Sequence, residues 1–143
     1  MKKILVVDDC ADIITAVKKG LEDISTEFKV TGAESGSKCI DFLKTDTPDL
    51  ILLDIMMPEM NGWRVLKILH ENEQWKSIPV VFLTAKTDNF SKAYGKIISN
   101  KYIEKPFKII DLKNKIVDVL ENLSHNSDKK EKIIEDMIEN IPS

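Results

Sequence analysis

The sequence predicts an α/β domain with a doubly wound, five-stranded parallel sheet and helices on both faces. Three observations carry this. Short runs of β-prone apolar residues alternate five times with segments of helical periodicity, and successive βα units close by right-handed crossovers that place helices on both sides of a parallel sheet. The first, third and fourth runs are continuously apolar rather than alternating, as expected of strands covered on both faces. The length, 143 residues with 43% hydrophobic, fits one domain with a substantial core.

Ile4 to Val7 forms the first run and stops at Asp8-Asp9. From Asp12, which is placed to cap the helix, Ile13, Ala16, Val17 and Leu21 fall on one helical face. Phe28 to Thr31 reads as a second strand, and Ser35 opens a helix carrying Cys39, Ile40, Phe42 and Leu43. After Pro48 comes Leu50-Ile51-Leu52-Leu53, ending at Asp54. A loop, Met57 to Gly62, leads to a helix with Val65, Leu66, Ile68 and Leu69. Pro79 to Leu83 is a fourth strand ending at Thr84, and Phe90, Ala93, Tyr94, Ile97 and Ile98 mark a fourth helix. Tyr102-Ile103-Glu104 is a short fifth strand before Lys105-Pro106, and the last helix carries Ile109, Leu112, Ile116, Val119, Leu120 and Leu123. With five strands, the flavodoxin-like order is the expected one.

Composition narrows the function. The formal net charge is −3, from 24 acidic and 21 basic residues, and Arg64 is the one arginine. That argues against nucleic acid, whose readers present basic, arginine-rich patches. The apolar runs are far shorter than the roughly twenty residues that span a bilayer, and the N-terminus lacks a signal-peptide pattern, so no membrane insertion and a cytoplasmic location are expected. Cys10 and Cys39 are too few for a disulfide framework and read as reduced packing residues. His70 and His125 have no neighbouring ligands in sequence.

Ligands of such sheets bind outside the carboxyl ends of the strands, and here those ends carry Asp8-Asp9, Asp54, Thr84 and Lys105. Three carboxylates brought to about 4 Å would repel by about 4 kcal/mol per pair at an effective dielectric of about 20. Such a cluster takes up a proton, holds a cation or keeps its acids apart. Oxygen ligands with room for water suit Mg²⁺, with Mn²⁺ as an alternative. A metal would in turn attract a phosphoryl group, and Lys105 and Thr84 supply a charge and a hydroxyl for its oxygens. One carboxylate would serve as nucleophile, giving an acyl phosphate. These considerations leave open which one.

The segments ILVVDDC, LLDIMMPEMNGW, VVFLTAK and YIEKPF occur together and in order, and through them residues 1–123 resemble the receiver domain of two-component response regulators, in the manner of a stand-alone chemotaxis-type receiver. The resemblance implies a phosphorelay signalling module rather than an enzyme, a phosphoprotein that catalyses only its own phosphorylation and dephosphorylation. It implies that Asp54 is the phosphoacceptor, supplied by a sensor histidine kinase or phosphotransfer protein. Asp9 would bind Mg²⁺ directly, Asp8 mainly through water, and the backbone carbonyl of Met56 would be a further ligand. Thr84 and Tyr102 would be the switch pair, Lys105 would pair with the phosphoryl group, and the Lys105–Pro106 bond would be cis. Met56 and Lys86 occupy positions that tune phosphoryl lifetime. The phosphorylated chain would present a changed surface to an unknown downstream protein target, with a phosphorylation-dependent homodimer left open. One departure is Ile98-Ser99-Asn100-Lys101 where such receivers often have Gly-Ala, which bears on the output surface and not on the acidic cluster.

Two other functions compete. An aspartyl-phosphate phosphatase of the haloacid-dehalogenase type would want a DxD motif after the first strand, whereas Asp8 and Asp9 are adjacent. A phosphorylation-independent scaffold receiver would not need every site residue. No GxGxxG loop follows the first strand, which disfavours dinucleotides. Residues 124–143 read as a polar break and an amphipathic tail with Ile133, Ile134, Met137, Ile138 and Ile141 on one side. The tail is expected to pack on the domain or a partner and is too short for an output domain.

Overall fold

Leu50-Ile51-Leu52-Leu53 has no polar face, so a strand made from it must lie between two covered faces, and it occupies the centre of the sheet. The computed structural model describes residues 1–85 and 102–122. In chain order these form β1 (Lys2–Val7), α1 (Ala11–Ile24), β2 (Phe28–Ala33), α2 (Gly36–Leu43), β3 (Leu50–Asp54), α3 (Gly62–Glu71), β4 (Val80–Thr84), β5 (Tyr102–Glu104) and α4 (Ile109–Glu121). All four strand pairings are parallel, and the order β2-β1-β3-β4-β5 is the flavodoxin-like one. The helix expected around residues 90–98, Lys86, His125 and the tail from residue 123 onward lie outside the described residues.

The strands' two-residue alternation divides the core. Leu5, Val7, Ile51, Leu53, Val80 and Phe82 face one side, where α2 and α3 cover them with Cys39, Leu43, Trp63, Val65, Leu66 and Leu69. Ile4, Val6, Leu50, Leu52, Val81 and Leu83 face the other, against Val17 and Leu21 of α1 and Leu112, Ile116 and Val119 of α4. Burying side chains of this size is worth roughly 1.5–3 kcal/mol each, so the uninterrupted strands hold both helical layers at once.

Local signals set the helix starts, with corrections at Asp12, Cys10 and Ala16. Ser35 caps α2 through Oγ, which accepts from Lys38 N–H at 3.1 Å, and Asn61 caps α3 through Oδ1, which accepts from Arg64 N–H at 3.0 Å. Asp12 does not cap α1: it lies inside the first turn, and Cys10 is the cap residue without a side-chain bond. Asp8 takes over that junction, its Oδ1 accepting from Cys10 N–H at 2.9 Å. An acid already buried at the end of β1 is closer to the freed main-chain donor, and Asp12 is left to favour the helix's positive end. The second correction is Cys10 itself, which is exposed rather than packed, while Cys39 is fully buried. Ala16, expected on the apolar face, is also exposed.

Candidate functional site

Parallel strands put all their carboxyl ends on one side of the sheet. β1 ends one residue before Asp8, and β3 ends with Asp54, which is in register with Leu83 of β4. Thr84 is the next residue of β4 and is in register with Glu104, which precedes Lys105. Main-chain bonds fix these ends: Asp8 N–H donates to Ala33 C=O at 3.1 Å, and Lys105 N–H donates to Thr84 C=O at 2.7 Å. The Lys105–Pro106 peptide is cis.

The side chains then meet. Asp8, Asp9 and Asp54 each place a carboxylate oxygen within 4.8 Å of the others. Asp8 and Asp54 are buried, and Asp9 is exposed at the rim. Lys105 Nζ donates to Asp8 Oδ2 at 2.7 Å and lies 3.4 Å from Asp54 Oδ1. Both Asp8 oxygens therefore have donors, Cys10 N–H and Lys105. Asp54 is served less closely, with Met56 N–H at 3.3 Å from Oδ1.

That inequality shows in the electrostatics. Burial first, and then the charge of Asp8, raise the Asp54 carboxyl to about 7 against the opposing pull of Lys105. Burial works to lower Lys105, but its hydrogen bond to Asp8 and the charges of Asp54 and Asp8 outweigh it and leave the ammonium above its ordinary range. One cation thus stands among three acids. Two repelling carboxylates about 4.8 Å apart cost on the order of 3 kcal/mol at an effective dielectric of about 20, so a second cation has a place here. The donor set is oxygen alone, partly buried with one ligand at the solvent edge, and this fits a hard divalent cation such as Mg²⁺ or Mn²⁺.

The other expected residues fall as follows. Thr84 is buried at the end of β4, next to the residue in register with Asp54. Tyr102 is half-buried and packs against the α2–α3 side of the core, in register with Phe82. Met56 sits with its main-chain N–H beside Asp54 and its side chain exposed. Cys39 is fully buried, and burial pushes its thiol up to about 12, away from the reactive thiolate.

Sequence reasoning assigned no role to Gly62. Its N–H donates to Ile55 C=O at 2.8 Å, closing the loop that follows β3. A Cβ there would stand 2.4 Å from the Asp54 carbonyl oxygen and 2.8 Å from Ile55 Cα. The start of α3 is therefore seated directly on the backbone of the central acid.

Comparison with known proteins gives the chain's family. Residues 4–117 match the model of the response regulator receiver domain. The chain is 38% identical over 107 residues to the alkaline phosphatase synthesis transcriptional regulatory protein PhoP of Bacillus subtilis, covering 74% of this chain and 43% of that protein. It is 33% identical over 126 residues to response regulator Rre1 of Synechocystis, covering 87% of this chain and 54% of the relative. A probable cyclic di-GMP phosphodiesterase of Vibrio cholerae is 35% identical over 120 residues, 83% of this chain and 26% of that one. The chain thus spans about a quarter to about half the length of these curated relatives. Among solved structures, a CheY-like response regulator receiver domain protein from Methanospirillum hungatei is similar at 35% identity and a TM-score of 0.73, covering 87% of this chain and 98% of that one. No helix among the described residues is long and apolar enough to cross a membrane.

Proposed function

The chain belongs to the response regulator receiver domain family of two-component systems, and on that premise we propose that Asp54 accepts a phosphoryl group from a sensor histidine kinase or phosphotransfer protein. The observation that supports this most directly is the convergence of Asp8, Asp9 and Asp54 within 4.8 Å, with Lys105 between the two buried acids. An Asp54 carboxylate oxygen attacks phosphorus, the donor's P–N or P–O bond breaks, and the leaving group departs with that electron pair. Asp8, Asp9, Asp54 and the Met56 carbonyl would hold Mg²⁺, which when bound supplies positive charge for the transferring group's oxygens.

The remaining roles belong to the chain's own side chains. Lys105 lies 3.4 Å from Asp54 Oδ1 and turns from Asp8 toward the added oxygens as phosphorylation brings in roughly two negative charges. The Thr84 hydroxyl donates to those oxygens, and Tyr102 follows it inward, which changes a protein-binding surface beside β5. By their sequence, residues 1–123 make up this unit, and 124–143 read as a polar break and an amphipathic tail.

The test is intact mass after incubation with Mg²⁺ and acetyl phosphate or phosphoramidate, for the unaltered chain and Asp54→Asn. One base-labile phosphate, absent in the variant, is the expected result. Repeated release of phosphate from varied phosphomonoesters would mark a phosphatase instead. No gain with several donors and a kinase would mark a phosphorylation-independent scaffold.

A further inference from the structure

The sheet's outer strands differ: β5 is three residues long and β2 is six. In a parallel ladder, alternate residues of a strand direct both main-chain groups to the same side. Lys2 N–H donates to Glu27 C=O at 2.6 Å and Asp8 N–H to Ala33 C=O at 3.1 Å, so positions 27, 29, 31 and 33 face β1. Phe28, Val30 and Gly32 face outward, and an edge of this kind is a template for another strand.

The middle position of that edge is already filled. Val30 N–H donates to Glu22 Oε2 at 2.8 Å, and Val30 C=O accepts from Lys18 Nζ at 2.8 Å. Lys18 Nζ also donates to Glu22 Oε2 at 3.0 Å, closing a three-membered ring of contacts. The two side chains are four residues apart on α1 and so share one helix face, the face that reaches the margin of β2. Together they present one acceptor and one donor, which is what a neighbouring strand would offer one residue. The Val30 N–H first, and then Lys18, hold the Glu22 carboxyl below its usual range. Exposed pairs like this one contribute little to stability as ion pairs, so the placement on a main-chain donor and acceptor is the informative feature.

We propose that Lys18 and Glu22 form a latch that keeps the outer edge of β2 from pairing with the same edge of a second copy of the chain. The strand sequence Phe28-Lys29-Val30-Thr31-Gly32-Ala33 holds one charge and no proline, a composition that favours edge-to-edge pairing. An antiparallel alignment centred on Val30 is self-complementary about a two-fold axis, and its central hydrogen bonds need the two main-chain groups that Lys18 and Glu22 occupy. The latch operates independently of the aspartate chemistry.

The test uses the whole chain with Lys18→Ala and Glu22→Ala combined. Expected are Val30 amide exchange about tenfold faster or more at dilutions where the chain is monomeric, as for loss of a hydrogen bond to a charged group, concentration-dependent dimerisation in sedimentation that slows this exchange again, and concentration-dependent amide shifts confined to residues 28–32. Lys18→Arg, which keeps the donor, stays monomeric with slow Val30 exchange. If the double variant fails to fold, Glu22→Ala alone, which frees the Val30 N–H while Lys18 still covers the carbonyl, carries the same test with a weaker association. A folded latch variant that stays monomeric, one that associates with shifts elsewhere, or unchanged Val30 exchange would each overturn the proposal.

Discussion

Lys105 sits closer to Asp8 than to Asp54, at 2.7 Å against 3.4 Å, with Asp8 fully buried. The cation thereby compensates the acid that is most enclosed and leaves the proposed nucleophile only partly served. What is expected on removing Lys105, changing pH or adding Mg²⁺ follows from this division.

Removing Lys105 leaves Asp8 without its strongest donor. Lys105→Met should destabilise the metal-free protein by about 2–4 kcal/mol, as for a broken, largely buried pair. Millimolar Mg²⁺ should restore part of the melting temperature, because the metal supplies the missing charge, while phosphate gain from acetyl phosphate is lost. Thermal melts with and without Mg²⁺, alongside intact mass, check both halves; a variant that melts like the unaltered chain would contradict the pairing.

The raised Asp54 carboxyl gives a pH dependence with a definite sign. Its folded value is about 7 against an ordinary 3.8, so between those values the folded state binds more protons than the unfolded one and stability falls as pH rises. The Lys105 contribution is lost only as pH rises through that group's elevated range, outside this window. Asp54→Asn, which cannot ionise, should therefore raise the melting temperature of metal-free protein at pH 8, by on the order of 1–3 kcal/mol in stability. At pH 4 the gain should be close to nil. Melts across pH 4 to 8 settle the sign.

Metal binding has to displace the proton that Asp54 retains at lower pH. Mg²⁺ should therefore stabilise the chain more at pH 8 than at pH 6, and calorimetry at pH 6 in buffers of different ionisation enthalpy should register proton release. Equal Mg²⁺ affinity at both pH values would count against Asp54 as a ligand.

Gly62→Ala places a methyl group against the Asp54 carbonyl and Ile55 Cα, both backbone atoms that cannot swing aside. A loss of about 1–3 kcal/mol is expected from the forced shift, together with slower phosphorylation, since the backbone that moves carries Asp54, the proposed phosphoacceptor. Ser35→Ala, which removes only a helix cap, serves as a control: a stability loss of about 1 kcal/mol with phosphorylation rate unchanged.

Thr84→Ala should leave phosphate gain at Asp54 nearly intact while reducing the change that follows it. Hydrogen exchange at Tyr102 and Ile103, compared before and after phosphorylation, reads that coupling. A full exchange response in the variant would remove Thr84 from the switch.

Much of this was legible in the chain alone. Three strands of uninterrupted apolar residues, each ending at a polar residue, with a mixed second strand and a short fifth, point to a parallel sheet with its reactive groups on one side, because side-chain alternation and right-handed crossovers leave few other arrangements. Asp8, Asp9, Asp54, Thr84 and Lys105 were readable as one cluster for that reason. Ser35 was readable as a cap because its bond is made three residues away. Asp12 was misread because the true partner of the α1 terminus, Asp8, comes from the end of β1. Whether Lys105 serves Asp8 or Asp54, that Gly62 backs the Asp54 carbonyl, and that Lys18 and Glu22 close the β2 edge were all decided in three dimensions. Each depends on distances between groups set by packing of separate elements, and sequence periodicity encodes which face a residue takes but not which neighbour it meets there.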